Sequence, residues 1–225
     1  MKSKKAVKKQ RVHVHFMQDR SGSMVRQWED CVGGFAAFVR DLQTKEDVEY
    51  SLSLTIFNHM AETVLNRMPV EKVSLLALSN YQSSGGTALY DTLGKVLTET
   101  NDSEFDKAIF IIVTDGQEVD SCTWTKDTVH ALIDAKLREG FYTFQYLGSQ
   151  PETWADAAKA GFSVGQTVSF NNGNYIGTYA AVASGINNFS SSSLRSTRSM
   201  TASFADQDLI KSANMCVVKE DDISK

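Results

Sequence analysis

The feature that most limits the folds open to this chain is a recurring alternation: a short apolar run, a polar or glycine-bearing loop, then a segment with helical period. Residues 108–113 are the most strand-like of these runs, and their near-continuous apolarity is what a strand covered on both faces requires. Residues 12–17 read the same way. After them Met24, Trp28, Cys31, Val32, Phe35, Val39 and Leu42 recur at spacings of three and four, the inner stripe of a helix beginning near Met24. Gly33 and Gly34 cost helix stability there, which predicts a close approach to the sheet.

The rest of the chain repeats the pattern. Residues 48–57 alternate as a longer strand, and residues 59–65 suit a hairpin partner turning at Asn58. A loosely helical stretch at 73–78 leads into a polar loop at 81–87 and a helix with Leu89, Leu93, Val96 and Leu97 on one side. Helices are expected at 126–139, 152–160 and 175–189, and strands at 141–147 and 163–170. Strands separated by helices imply an α/β fold with a doubly wound, mostly parallel sheet and right-handed crossovers.

Composition sets the outer bounds. The 225 residues suit one substantial domain with extensions, and 42% apolar with 22% charged residues supports a packed core. The compact part is expected at 12–189, behind a flexible basic arm at 1–11 and ahead of a flexible Ser/Thr-rich extension at 190–225. A net charge of −4 argues against a protein-wide attraction to nucleic acid or anionic membrane. No apolar run approaches the ~18 residues of a membrane span, and the basic start runs into strand-like alternation instead of a signal-peptide hydrophobic region, so a cytoplasmic location is expected. Cys31, Cys122 and Cys216 form no Cys-x-x-Cys pair and read as small core residues in a reducing compartment.

Three loops carry the chemistry. Asp19-Arg20-Ser21-Gly22-Ser23 follows the first strand, Gly85-Gly86-Thr87 precedes a helix, and Thr114-Asp115-Gly116 follows the most apolar strand. Taken singly, Ser23 and Thr87 are good helix N-caps and Asp-Gly is an ordinary turn. Taken together, a doubly wound sheet delivers all three to the crevice beyond the carboxyl ends of its strands. Hydroxyls of Ser21, Ser23 and Thr87 can ligate Mg²⁺ or Mn²⁺ while Asp19 and Asp115 act through bound waters. Neutral ligands leave the ion much of its charge, so an open position would attract a Glu or Asp carboxylate from a partner protein.

These residues resemble the von Willebrand factor A (vWA) domain with its metal-ion-dependent adhesion site (MIDAS). That family's pattern is Asp-x-Ser-x-Ser, then a Thr in a Gly-rich loop, then an Asp commonly in Thr-Asp-Gly; Asp19, Ser21, Ser23, Thr87 and Asp115 match all five positions. The resemblance covers about residues 12–189 and implies a Rossmann-like sheet of six strands, one antiparallel, with helices on both faces. It looks most like the small stand-alone vWA proteins of bacteria and phages, some of which accompany an ATPase. Arg20, Tyr81, Gln82, Glu118, Asp120, Trp124 and Gln150 are placed to line the rim, with Trp124 the foremost contact anchor.

Other chemistry competes for the same crevice. His13 and His15 share one face of the first strand but lack a third ligand, and read as core or helix-facing histidines. A hydrolase would need a base beside Ser21 or Ser23, and the Gly-x-Ser-x-Gly elbow is absent. A nucleotide cradle at 84–87 lacks the Walker lysine, since Ala88 follows Thr87. The chain is therefore expected to bind and not to catalyse, with a metal-dependent hydrolase or a nucleotide-binding protein as the alternatives.

Overall fold

A computed structural model describes residues 9–149, 151–162, 166–170, 174–192 and 215–217. The strands are β1 (Gln10–Asp19), β2 (Val48–Phe57), β3 (Ala61–Pro69), β4 (Lys107–Thr114), β5 (Tyr142–Gly148), β6 (Thr167–Ser169) and β7 (Cys216–Val217). The helices are α1 (Trp28–Gln43), α2 (Leu89–Glu99), α3 (Lys126–Arg138), α4 (Pro151–Ala160) and α5 (Tyr175–Ser191). Among the described residues the seven strands form one sheet in the order β3-β2-β1-β4-β5-β6-β7. β1 pairs in parallel with β2 and β4, and β5 with β4 and β6, which is the expected doubly wound, mostly parallel architecture. β3 is antiparallel to β2, as a hairpin must be, and the two-residue β7 adds a second antiparallel pairing beside β6.

Alternation along the central strands divides the interior in two. Val12, Val14 and Phe16 of β1, with Ile109, Ile111 and Val113 of β4, pack under α1 and α5. Met17, Ala108, Phe110 and Ile112 face the other way, with Leu89, Leu93 and Val129 of α2 and α3. Every residue of β4 is buried, as its unbroken apolar run predicts.

Several expectations are corrected by packing. The helix after β1 starts at Trp28 and not near Met24, because Gly22–Gln27 winds as a tighter 3₁₀ segment. The stretch 73–78 is a series of turns and not a helix. β3 begins two residues later than expected, since Asn58 closes the turn through Met60: Asn58 N–H donates to the Met60 carbonyl and Asn58 Oδ1 accepts from Met60 N–H. Gly34 admits α5 and not the sheet, for a Cβ there would lie 2.9 Å from the Tyr175 carbonyl oxygen and from Tyr179 Cδ2. Cys31 is buried, but Cys122 is exposed and no core residue. The side chain of Cys216 and the segment 193–214 lie outside the described residues.

One lysine is folded into the structure. Lys107 opens β4 and is buried, and its Nζ donates to the carbonyls of Phe189 (2.5 Å), Ser190 (3.1 Å) and Ser192 (2.9 Å). Helix C-termini leave such carbonyls without intrahelical donors, and a cation there also answers the negative end of the dipole.

Candidate metal centre

The carboxyl ends of β1 and β4 are neighbours in the sheet, so the loops leaving them start side by side. Asp19 is the last residue of β1 and is fully buried. Its Oδ1 accepts from Ser21 N–H at 2.6 Å and its Oδ2 from the Thr114 hydroxyl at 2.5 Å. The 3₁₀ turn then brings the Ser21 and Ser23 hydroxyls within 3.0 Å of each other, and Ser23 donates to Asp115 Oδ1 at 2.5 Å. Gln27 Nε2 holds the other Asp115 oxygen.

The Gly-rich loop is stitched to both neighbours through the backbone. Gly22 N–H donates to the Gly85 carbonyl and Ser84 N–H to the Arg20 carbonyl, each at 2.8 Å. Val119 and Asp120 N–H both reach the Thr87 carbonyl, at 3.0 and 3.2 Å. Asn58 completes the frame: its carbonyl accepts from Ala88 N–H and its Nδ2 donates to the Ser84 carbonyl. Gly85 has φ +76°, and a Cβ there would also lie 2.5 Å from His59 Nδ1, so the turn needs glycine on two counts.

Gly116 locates the centre of the cluster. A Cβ built on it would lie 2.5 Å from Thr87 Oγ1, 3.2 Å from Ser21 Oγ and 3.3 Å from Asp19 Oδ2. Oxygens of the first two loops therefore converge on one small space beside Gly116 of the third, and Asp115 is joined to them through Ser23; Ser23 is exposed, and Asp19, Ser21, Thr87 and Asp115 are buried. The capping alternative does not describe these hydroxyls. Ala88 is the N-cap of α2 and makes no side-chain cap bond, while the Ser23 hydroxyl goes to Asp115.

Electrostatics favour a cation. Burial pushes the Asp19 carboxyl up to about 6, against the hydrogen bonds from Thr114 and Ser21, and the Asp115 charge adds to the rise. Asp115 is raised by burial as well, against the Ser23 and Gln27 bonds. Among the described residues neither acid has an ion-pair partner. Two partly desolvated acids beside three neutral hydroxyls fit a hard divalent ion with oxygen ligands.

The rim residues divide by what they touch. Asp120 is exposed and stands against Gly86, at the edge of the oxygen cluster. Arg20 lies over the 80s loop toward the Gln82 carbonyl, and the Tyr81 carbonyl accepts from Trp28 Nε1 at 2.7 Å. Glu118 is engaged internally, accepting from Tyr90 N–H and from Ser121. The Trp124 ring packs against α2, where a Cβ on Gly94 would meet it. Gln150 lies outside the described residues. Sequence reasoning missed Thr114, Gln27 and Asn58 as the groups that hold the site. Thr114 adjoins Asp115 in the motif and Gln27 lies one turn beyond Ser23, which were the available signals.

No family model matches the sequence, and no curated protein matches it. Solved structures do match in shape. A von Willebrand factor type A protein from Catenulispora acidiphila is 14% identical with a TM-score of 0.54, over 78% of this chain and 42% of that one. Proximal thread matrix protein 1 from the mussel byssus, solved with a zinc-occupied MIDAS motif, is 15% identical with a TM-score of 0.56, over 92% and 46%. Manganese-loaded TRAP protein of Plasmodium vivax is 15% identical with a TM-score of 0.56, over 74% and 71%. The chain thus spans less than half the length of the first two.

Proposed function

We propose that this chain, which has the fold of a von Willebrand factor A domain, is a protein-binding module that works through a divalent cation held by Asp19, Ser21, Ser23, Thr87 and Asp115. The observation that carries this reading is the convergence of Asp19, Ser21 and Thr87 oxygens on Gly116, with Asp115 tied in through Ser23 and two buried acids that lack a counter-ion among the described residues. Mg²⁺ or Mn²⁺ suits the all-oxygen set, and the zinc and manganese in two structural neighbours support a divalent ion at such a site. A partner's Glu or Asp carboxylate would take the position left open on the side of exposed Ser23.

The surface around the site supports docking. Val25, Met60 and Val119 are 59%, 65% and 65% exposed and lie in the connections that follow β1, β2 and β4. Exposed apolar side chains at the edge of the sheet that carries the polar site are what a contact surface offers. Asp120, Arg20 and Gln82 would add polar contacts at its rim. The metal centre acts by binding in this reading and not by catalysis. An associated ATPase is one partner that fits, in the cytoplasm of a bacterial or phage-infected cell.

Capture from lysate in Mg²⁺ or Mn²⁺, with elution by EDTA, tests the proposal. The Asp19→Ala chain should keep its fold and lose the captured protein. Capture that persists through both EDTA and this substitution would sink the reading. Turnover of a phosphoester that depends on Ser21, or ATP binding that depends on Thr87, would instead favour the alternatives.

A further inference from the structure

His13 and His15 lie on β1 six and four residues before Asp19, roughly 20 and 13 Å from the metal-binding edge at ~3.3 Å per residue. Both face the α2 side of the sheet, and Asp102, from the connection between α2 and β4, is buried between them. One carboxylate oxygen faces His13 Nδ1 at 2.7 Å and the other faces His15 Nε2 at 2.7 Å. The remaining nitrogen of His13, Nε2, lies 2.9 Å from the hydroxyl of Ser53 on β2. Hydroxyl, imidazole and carboxylate are thus joined in the order and through the atoms of a nucleophile, base and orienting acid, an arrangement recognised by geometry and not by sequence position.

The proton positions follow from the partners. Asp102 is held well below the usual carboxylate range by these ring hydrogen bonds despite its burial, so it accepts from both histidines. In the tautomer that bonds Asp102 through Nδ1–H, the Nε2 of His13 is the atom that can accept from Ser53. Arg67 N–H donates to Ser53 Oγ at 3.0 Å, which leaves the Ser53 proton directed at His13. Arg67 reaches this position with φ +48°, at an irregularity where β3 spends an extra residue opposite β2. Left-handed non-glycine residues and bulges both concentrate at functional sites and re-aim groups there. The Arg67 guanidinium, 3.4 Å from Asp102, also supplies the carboxylate's counter-charge.

Ser53 and His15 line a cavity of about 150 Å³, whose wall includes Thr55, Thr63, Asn66 and Arg67. We propose that Ser53, His13 and Asp102 carry out acyl transfer from small esters in this cavity, a second activity separate from the metal centre. Ser53 Oγ bonds the ester carbonyl carbon as its proton passes to His13 Nε2. The bond to the leaving alcohol then breaks, and the alcohol departs with that proton. Water releases the acyl group as a carboxylic acid, giving a proton to His13 that returns to Ser53. Asn66, in the cavity wall, carries amide N–H donors suited to the developing oxyanion. The cavity's size selects a short acyl group. His13, His15 and Asp102 also present atoms within 4.8 Å of one another that could face a metal ion, but the Arg67 charge and the two 2.7 Å hydrogen bonds already satisfy that carboxylate.

The test is a small alkyl fluorophosphonate applied to the full chain, with p-nitrophenyl acetate as reporter ester. One adduct should map to Ser53, persist in EDTA, vanish in Ser53→Ala and form at least a hundredfold more slowly in His13→Gln. In Ser53→Cys, iodoacetamide should modify position 53 faster than it does in the His13→Gln background. An unlabelled Ser53 in a chain with a native melting curve would overturn the proposal, as would equal labelling of wild type and His13→Gln. Zinc binding lost in Asp102→Asn would replace it with a metal site. Because EDTA should leave labelling intact, failure of the metal-dependent reading is distinguishable from failure here.

Discussion

The Ser23 hydroxyl donates to Asp115 Oδ1 across 2.5 Å, tying the loop after β1 to the loop after β4 although 92 residues separate them. Ser23 is also the exposed member of the oxygen set, so it contributes more to the site than to the core. Ser23→Ala is expected to weaken Mn²⁺ binding at least tenfold, about 1.4 kcal/mol, while the melting temperature stays within a few degrees of wild type. Calorimetric titration with Mn²⁺ beside thermal melts checks both halves.

Gly116→Ala should be more damaging to the site than its size suggests. The new methyl would occupy the space among Thr87 Oγ1, Ser21 Oγ and Asp19 Oδ2. Metal binding should fall below detection, with a stability loss of roughly 1–3 kcal/mol from overpacking. Retained Mn²⁺ affinity would show that the ion does not sit in this space.

Stability should depend on pH through His15. Burial lowers its pKa to about 4, with the Asp102 hydrogen bond opposing, whereas the unfolded chain titrates near the ordinary imidazole value of 6.5. The unfolded state therefore binds more protons between these values, and folding stability falls as pH drops from 6.5 toward 4. The full difference is on the order of 3 kcal/mol. Urea unfolding at pH 7 and pH 4.5 should show the decline, and His15→Gln should flatten it.

Lys107→Met should loosen the end of α5. The substitution fills similar volume but removes the donor shared by three carbonyls and the cation above the Phe189 ring. A loss of about 2 kcal/mol is expected from acceptors left in a buried setting. Faster amide exchange in the last turn of α5 would locate the effect, and an unchanged urea midpoint would refute it.

Most of the element order was legible because the signal for it is local. The range Val48–Phe57 was read to the residue from its alternation, and β4 from its apolar run. Errors arose where distant groups decide the backbone. The 3₁₀ start before α1 serves the Ser23 to Asp115 bond, and Gly34 answers to α5, more than a hundred residues away. Trp124, expected at the rim as a contact anchor, rests its ring against the bare Gly94 backbone of α2, a seat no local pattern announces.

Strand period, helical period and short motif spacing are properties of neighbouring residues, so the doubly wound sheet and the candidate oxygen set could be read along the chain. That Thr114 holds Asp19, that Lys107 caps α5, and that Asp102 lies between His13 and His15 with Ser53 beyond emerges once the chain is folded. Each of those contacts joins residues tens of positions apart. Crossovers and strand register, set by how the helices bury their apolar faces, are what bring them within hydrogen-bonding distance.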